Sequence, residues 1–358
     1  MPRGSHQIFR VIFSPMNKLK TKYMGLELDN PIILGSSNLV RNIDTLKRAE
    51  DLGIAAIVYK SLFEEEIQLE SFQLDERLTE FNDLNAEMVT IHPEMEHSGP
   101  EEHLLSIRKA AESLSIPIIA SLNATDNETW VKYAKLLSET GIDGIELNFY
   151  QIPLDFNKSG SEIEEEQIKT LKEIRKSITI PISVKLCSDY SNILNFIKKL
   201  DNGGADAFVL FNSFFQPDIN ITDEKHVKKS NLSREGDYKK SLRYTGLLFD
   251  NIKGDICSSH GIFHGEDVVK LLLSGASCVQ IVSTIYKNGL TQINQIKGEL
   301  EAWMDSKNYN SIDEFRGKLS KNRLSNNPFV YRRAQYVDLL MNSDDIILGG
   351  TNSRITPV

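Results

Sequence analysis

The stretch Gly204-Ala205-Asp206-Ala207-Phe208-Val209-Leu210 joins a glycine to a short apolar run. Glycine suits the left-handed position just past the end of a helix, and the apolar run suits a strand buried in a parallel sheet. The same pattern recurs at 53–58, 141–147 and 275–281. The recurrence predicts a chain built from repeated helix–strand units.

A second kind of strand entry lies between these four. Runs at 30–34, 116–120 and 180–184 begin around a proline, which is tolerated at the first residue of a strand because its missing N–H costs little there. A fourth run, at 254–257, occupies the corresponding place without the proline. In chain order the two kinds alternate strictly and total eight strands.

Helical patterns fill the gaps between the strands. Apolar residues at three- and four-residue spacing predict helices at 44–52, 129–140, 164–177, 192–202 and 265–273. Eight strands alternating with helices predict an α/β protein that folds as a single parallel (β/α)8 TIM barrel. The rival is an open doubly wound sheet, whose first loop carries a glycine-rich fingerprint. Gly35-Ser36-Ser37-Asn38 does not match that fingerprint, so the barrel is favoured.

Two connections are too long to be plain helices, at 61–115 after the second strand and at 212–254 after the sixth. Both leave the C-terminal face of the barrel, where they can cover a ligand. The tail from about residue 290 to 340 has a helical, polar pattern and is expected to pack outside the barrel. These features assign residues 16–340 to a barrel domain and residues 341–358 to a C-terminal extension.

The N-terminus starts with Met1-Pro2-Arg3-Gly4-Ser5-His6, which resembles the remnant of a cleavable purification tag. Residues 1–15 are therefore interpreted as a tag or leader remnant, with Met16 as the expected native start. The chain lacks a secretory cleavage site near residues 8–13 and an apolar stretch of about 18 residues, so we expect a cytoplasmic protein.

Charge and cysteine usage exclude several other classes of protein. A net charge of −9 argues against a nucleic-acid partner or an anionic membrane surface, since both need clustered Lys and Arg. The acidic runs Glu64-Glu65-Glu66 and Glu164-Glu165-Glu166 are interpreted as solvated helix faces. Cys187, Cys257 and Cys278 show no CxxC spacing, so neither a metal site nor a disulfide framework is expected.

Polar residues follow all eight apolar runs, at the strand ends where barrels place their chemistry. A single such residue is ordinarily a capping or loop residue, but eight polar ends that converge on one mouth indicate a binding site. In chain order they are Ser36 and Ser37, Lys60 and Ser61, Asn123, Asn148, Lys185, Asn212 and Ser213, residues 258–261, and Ser283 and Thr284.

The seventh and eighth strand ends have the composition of a phosphate cradle. Ser258-Ser259-His260-Gly261 and Val282-Ser283-Thr284 can present backbone N–H groups and hydroxyls to an anion, with a helix N-terminus expected behind them near Gly265. Lys185 would add a fixed positive charge on the opposite side. This combination suits a phosphorylated cofactor whose ring needs electrostatic help.

With these residues identified, the chain resembles the dihydroorotate dehydrogenase family, flavin-dependent barrels of pyrimidine biosynthesis. The resemblance runs from about Met24 to the last helices. It implies FMN at the mouth of the barrel and oxidation of dihydroorotate to orotate. The motifs that carry it are 30–37, 59–61, 121–123, 145–148, 184–186, 210–218 and Gly289.

The resemblance also implies a role for each matched position. Ser36, Ser37 and Ser61 would lie at the flavin ring, with Lys185 at its pyrimidine edge. Lys60 would lie beside both the flavin and the substrate carboxylate. The remaining matches are Asn148 as the link between flavin and substrate, Asn123 as its neighbour, Asn212 and Ser213 on the substrate side, and His260, Gly261 and Ser283 in the phosphate cradle.

Three departures from the family pattern bear on the reaction. The family carries a cysteine or serine base three residues beyond the asparagine, where this chain has Gln151, whose amide cannot accept the proton. Tyr150 is the nearest titratable residue, although its pKa would have to fall from about 10. His260 replaces a glycine, and 82–85 is the nearest counterpart of the loop that holds the substrate ring.

Three hypotheses follow for a small-molecule substrate. The chain is a flavin oxidoreductase acting on dihydroorotate or a similar cyclic amide or acid, with Lys60, Tyr150 and Gln151 as the catalytic positions. Alternatively it is an FMN-dependent reductase of another conjugated substrate with Tyr150 as proton donor, or a flavin-binding barrel without turnover. Two lysines at the flavin favour redox chemistry over binding alone. The sequence leaves the oligomeric state open and is compatible with a homodimer.

Overall fold

The computed structural model describes residues 17–68, 99–212, 216–227, 232–324 and 328–332, together with Val337 and Met341. The strands are β1 (Thr21–Tyr23), β2 (Leu26–Leu28), β3 (Ile32–Leu34), β4 (Ala56–Val58), β5 (Leu62–Phe63), β6 (Ile118–Asn123), β7 (Gly144–Phe149), β8 (Ile182–Leu186), β9 (Ala207–Leu210), β10 (Asp218–Asn220), β11 (Lys225–Val227), β12 (Asp255–Ser259) and β13 (Cys278–Ile281).

The helices are α1 (Ile43–Asp51), α2 (64–68), α3 (Pro100–Ser113), α4 (Asn127–Ser138), α5 (Gly160–Ser177), α6 (Ile193–Gly203), α7 (Lys239–Leu248), α8 (Gly265–Ser274), α9 (Ser283–Asn288) and α10 (Gln292–Ser306). Short 3-10 turns cover Asn38–Arg41, Ile312–Glu314 and Pro328–Tyr331.

Eight of the strands form a closed parallel barrel. Their order around the barrel is β4-β3-β13-β12-β9-β8-β7-β6, and β4 pairs with β6 to close the ring. The β5 strand extends the wall beside β6, with Leu62 opposite Leu122. Each of the eight apolar runs forms one barrel strand, so the TIM barrel is confirmed and the open sheet is excluded.

The five helices predicted from the spacing of apolar residues are all present, as α1, α4, α5, α6 and α8. The α5 helix starts at a capping box in which Ser159 and Glu162 satisfy each other's backbone N–H groups. The α6 helix is followed by Gly204, whose φ of 105° lies in the left-handed region, as the glycine before the apolar run predicts.

A hairpin of β1 and β2 covers the N-terminal end of the barrel. Thr21 Oγ1 donates to the carbonyl of Ser277 at 2.9 Å, and the backbone N–H of Met24 donates to Asp255 at 2.9 Å. Burial raises the pKa of the Asp255 carboxyl. The Tyr23 and Met24 side chains are buried among the strand residues of this end. The hairpin thus closes the N-terminal end of the barrel. The polar residues lie at the strand ends of the opposite, C-terminal face.

The long connections contain helices of their own. The α3 helix lies in the connection after β4, and α7 with the β10–β11 hairpin lies in the connection after β9. The tail is helical at α10, which packs on α8 and buries Ile293, Ile296 and Leu300. The helix therefore has an apolar inner face, whereas the described residues from 307 to 332 form only short turns.

The interpretation of Glu64-Glu65-Glu66 as a solvated face is wrong for two of the three residues. Only Glu65 is exposed, because the α2 helix lies against the barrel mouth and buries Glu64 and Glu66. In contrast, Glu165 and Glu166 are exposed and Glu164 is half-buried, as expected for the second acidic run.

None of the helices in the described part of the chain combines the length and apolarity needed to span a membrane. All three cysteines are buried free thiols. Within the described ranges, no group of three or more His, Cys, Asp or Glu side chains is placed to hold a metal ion.

Candidate active site

The C-terminal ends of the strands surround a cavity of about 520 Å³, called here the mouth cavity. Convergence of strand ends on one mouth is the geometry that supports catalysis in barrels of this kind. The cavity is lined by Ser36, Ser37, Asn38, Lys60, Ser61, Phe63, Asn148, Tyr150, Lys185, Asn212 and Tyr286.

A row of serine hydroxyls joins three neighbouring strand ends. Ser36 Oγ accepts from the backbone N–H of Ser61 at 2.9 Å and lies 3.1 Å from Ser61 Oγ. Ser61 Oγ lies 2.7 Å from Ser121 Oγ. The neighbouring Ser37 Oγ is buried without a hydrogen-bond partner among the described residues. Ser37 therefore has an unsatisfied group that a bound molecule can pair.

Three asparagines from different strands fix one another. Asn123 Nδ2 donates to the carbonyl of Asn148 at 2.7 Å and to that of Tyr150 at 3.3 Å. Asn212 Nδ2 donates to Asn148 Oδ1 at 2.9 Å, which orients the Asn148 amide. The structure thus brings together the three asparagines that the sequence placed on one mouth.

Lys185 has a buried carboxylate partner that sequence reasoning missed. Its Nζ lies 3.5 Å from Glu146 Oε1 and donates to Gln280 Oε1 at 3.2 Å, while Gln280 Nε2 donates to Glu146 Oε2 at 2.6 Å. Glu146 is two residues before Asn148 on β7, so both side chains point to the same face of the strand. The signal was a charged residue inside the apolar run of β7.

Lys60 also has a buried carboxylate partner. Its Nζ lies 2.5 Å from Glu66 Oε1, and the two side chains are 11% and 6% exposed. Lys60 separates the mouth cavity from a smaller cavity of about 130 Å³ that is lined in part by Arg41, Glu66 and His103. Sequence reasoning identified Lys60 but not its partner.

The predicted phosphate cradle forms a second cavity of about 210 Å³, called here the cradle cavity. Ser259, His260 and Gly261 line one side of it, and Val282 and Ser283 the other. The short α9 helix starts at Ser283, directly after the last barrel strand. A loop pair followed by a short extra helix is the usual phosphate site of TIM barrels.

The helix N-terminus expected near Gly265 is present, since α8 starts at Gly265, but acidic side chains already occupy part of it. Asp267 Oδ2 accepts from the backbone N–H groups of Phe263 and His264 at 3.0 and 3.1 Å, and Glu299 accepts from that of Gly265 at 2.6 Å. These three N–H groups are therefore satisfied by carboxylates of the chain itself.

Ser233 connects the cradle to the long connection after β9, which sequence reasoning missed. Its Oγ accepts from the N–H of Gly261 at 2.9 Å, and its own N–H donates to Ser283 Oγ at 2.9 Å. Lys287 Nζ donates to the Ser233 carbonyl at 2.9 Å, which places a cation beside the cradle. No local pattern marks Ser233, because its role depends on the connection folding back over the barrel.

His260 lies at the cradle with a left-handed φ of 80°. Its Nε2 is 3.6 Å from Asp237 Oδ2. Burial lowers the pKa of His260; Asp237 opposes this, whereas Lys240 and Lys185 lower it further. The imidazole is therefore neutral at neutral pH and adds no charge to the cradle.

Of the remaining predicted site residues, one lines the mouth cavity, one does not, and the others are not described by the structure. Tyr150 lines the mouth cavity, whereas Gln151 is exposed and is not among the lining residues. Ser213 and the 82–85 segment lie outside the described residues.

The two cavities suit a molecule with a polar ring at one end and a phosphate at the other. Both are lined by Ser36, Lys185 and Asn212, so they adjoin. Ser37, whose hydroxyl has no partner among the described residues, lines the mouth cavity, and serine, glycine and lysine residues line the cradle cavity. The residues present therefore fit a flavin mononucleotide.

Comparison with known proteins shows the family of this chain. A sequence profile described as dihydroorotate dehydrogenase matches residues 93–304, more than half of the chain. The chain is 27% identical over 318 residues to the dihydroorotate dehydrogenase B (NAD(+)) catalytic subunit of Thermoplasma volcanium, covering 84% of this chain and 98% of the relative. The corresponding protein of Methanocaldococcus jannaschii is 26% identical over 309 residues, covering 84% and 97%.

A relative whose name gives a different substrate is also similar to this chain. The NAD-dependent dihydropyrimidine dehydrogenase subunit PreA of Escherichia coli K12 is 23% identical over 323 residues, covering 85% of this chain and 77% of the relative.

Proposed function

The chain belongs to the dihydroorotate dehydrogenase family of oxidoreductases, and we propose that it uses FMN to oxidise or reduce a CH–CH bond of a dihydropyrimidine-type ring. The observation that carries the proposal is the pair of adjoining cavities with Lys185 on the lining of both. Bound FMN would supply a hydride acceptor or donor at the mouth.

The chain's own residues would hold the ring and the phosphate. Lys185 would place a positive charge at the ring end, where reduction adds negative charge, and Glu146 and Gln280 fix its position. Ser37, whose Oγ has no hydrogen-bond partner among the described residues, would lie at the ring end. Gly261 and Ser283 would line the phosphate end, where the Ser283 hydroxyl can donate to the phosphate.

The substrate would lie against Lys60, Asn148 and Asn212. The Asn212–Asn148 hydrogen bond fixes the amide that faces the substrate, so the ring of a cyclic amide can pair with it in one orientation. Dihydroorotate is the first candidate substrate, because the family and most of the reported relatives carry its name. Pyrimidine biosynthesis in the cytoplasm is the setting that this substrate implies.

A different conjugated substrate is the second candidate. Gln151 is exposed and carries an amide at the position where the family has its base, while Tyr150 lines the mouth cavity and can move a proton through its hydroxyl. The similarity to a dihydropyrimidine dehydrogenase subunit supports this candidate.

The test uses the purified protein. Released cofactor is identified by chromatography, and the holoprotein is then mixed without oxygen with dihydroorotate or dihydrouracil while the visible flavin band is followed. FMN with bleaching by either compound supports the proposal. A protein that takes up no FMN contradicts it, and FMN without bleaching by either compound favours a barrel without turnover or another substrate.

A further inference from the structure

His260 lies at the border between the cradle cavity and a carboxylate. It lines the cradle cavity and also a neighbouring cavity of about 340 Å³, called here the side cavity. Asp237 lines only the side cavity of the two, and its Oδ2 lies 3.6 Å from His260 Nε2. The imidazole therefore has the position expected for a phosphate on one side and a carboxylate on the other.

The fold holds both side chains in place. Asp237 Oδ2 accepts from the backbone N–H of Arg234 at 2.7 Å, which fixes the carboxylate. His260 has a φ of 80°, a left-handed conformation that few residues with a Cβ adopt and that is often retained at ligand sites. At the following Gly261 a Cβ would lie 2.6 Å from the backbone nitrogen of Asp237. The turn that carries His260 thus packs directly on the loop that carries Asp237.

The lining of the cradle cavity carries little positive charge for a phosphate. Among its described residues only Lys185 has a permanent charge, and Glu146 lies 3.5 Å from that ammonium group. A phosphate monoester carries nearly two negative charges at pH 7. Beside a neutral imidazole such an anion would also face the Asp237 carboxylate, which is unfavourable, whereas an imidazolium at His260 would attract both anions.

The groups of the chain alone leave His260 neutral. Charged side chains from four parts of the described chain face it or the cradle: Asp189 after β8, Lys185 on β8, Asp237 and Lys240 in the connection after β9, and Lys287 on α9. Burial lowers the pKa of His260, Asp237 raises it, and the nearby lysines 240 and 185 lower it further. A phosphate in the cradle would add negative charge to this group and raise that pKa.

We propose that His260 is a phosphate-binding residue that takes up a proton from solvent on binding the FMN phosphate, so that its imidazolium is shared by the phosphate and Asp237. The inference rests on the proposed function and adds a pH dependence to it. Because the bound state has the higher pKa at His260, the extra affinity is present at low pH and is lost as the pH rises through the bound-state pKa. Riboflavin, which has the same ring without the phosphate, gains nothing from this proton.

The first test follows the imidazole of His260 in the unmodified protein. The chain has seven histidines, and the NMR signal of this one is assigned by its loss in His260→Asn. The pH midpoint of the signal should be at least about one pH unit higher with FMN than without it, the lower end of the shift that an opposite charge causes. A midpoint that FMN leaves unchanged or lowers overturns the inference.

The second test compares FMN affinity at about pH 6 and pH 8 by fluorescence titration of the apoprotein. Asparagine tolerates the left-handed backbone and binds no proton. The parent-to-variant affinity ratio for His260→Asn should therefore fall about threefold from the lower to the higher pH, the change that a shift of about one unit produces. In this ratio the titration of the FMN phosphate itself cancels.

His226→Asn, at an exposed position of β11, is the matched control and should follow the parent at both pH values. With riboflavin in place of FMN, the ratio for His260→Asn should not change with pH. A ratio for FMN that is the same at both pH values overturns the inference. Where His260→Asn binds no FMN, the NMR midpoint of the unmodified protein decides.

These outcomes are distinguishable from a failure of the proposed function. A protein that takes up no FMN contradicts the proposed function. A protein that binds FMN while the midpoint of His260 stays where it was leaves the proposed function standing and contradicts only the role of His260.

Discussion

The ammonium nitrogen of Lys185 lies 3.5 Å from Glu146 Oε1, with side chains 12% and 1% exposed. Removing one partner of such a pair leaves a charge in a site with little water. We therefore expect the Lys185–Glu146 pair to contribute to the stability of the fold as well as to the charge at the mouth cavity.

We expect Glu146→Gln to lower the free energy of unfolding by about 3 kcal/mol, because Lys185 would be left without its carboxylate. The double variant Glu146→Gln with Lys185→Met removes both charges and should recover part of that loss. Urea unfolding of the two single variants and the double variant measures the coupling. Strictly additive losses would show that the two side chains do not interact.

Lys185→Ala should weaken FMN binding at least about tenfold, since a hydrogen bond from a charged donor is worth roughly 1.5–3 kcal/mol. The measurement is a fluorescence titration of the apoprotein with FMN. Lys172→Ala, on the exposed face of α5, is the control and should bind FMN as the parent does. Equal affinity of the Lys185 variant would place this lysine away from the flavin.

Restoring the family's base at Gln151 should raise the rate of flavin reduction only if dihydroorotate is a substrate. A positioned general base is worth ~10²–10⁴-fold, so Gln151→Cys and Gln151→Ser should speed flavin reduction by dihydroorotate, but by less than that factor, because residue 151 is exposed beside the cavity-lining Tyr150. The gain for cysteine should grow with pH, as the thiolate forms near its reference pKa of about 8.5. Single-turnover bleaching across pH measures both. A parent as fast as the variants would show that another group takes the proton.

His103 should make the protein less stable in mild acid. Burial, with Lys60 and Arg41 nearby, lowers its pKa to about 4. Its Nε2 has no hydrogen-bond partner among the described residues. As pH falls from about 6.5 toward 4, the unfolded chain takes up a proton that the native protein refuses, so up to about 3 kcal/mol of stability is lost.

The His103→Phe substitution tests this linkage, because phenylalanine keeps the edge-on contact with Tyr59 and binds no proton. Urea unfolding between about pH 7 and pH 4.5 should show a smaller loss of stability in the variant than in the parent. Parallel curves for the two proteins would mean that His103 titrates normally in the native state.

The fold could be predicted from the sequence because its signals are local. A glycine before an apolar run, or a proline at its start, reflects backbone geometry over a few residues. The polar residues at the strand ends were predictable for the same reason, since a parallel barrel brings all those ends to one face.

The partners of the two mouth lysines were decided only by the tertiary structure. Glu64-Glu65-Glu66 has the composition of a solvated helix face, and the burial of Glu66 depends on Glu64 reaching the β6–α4 loop some 60 residues away in sequence. Glu146 pairs with Lys185 on the next strand and Gln280 on the last, and Ser233 meets Gly261 and Ser283 through a long connection. The sequence does not reveal whether a charged side chain will be solvated by water or paired with another side chain. That outcome depends on which distant segments of the chain exclude water from it.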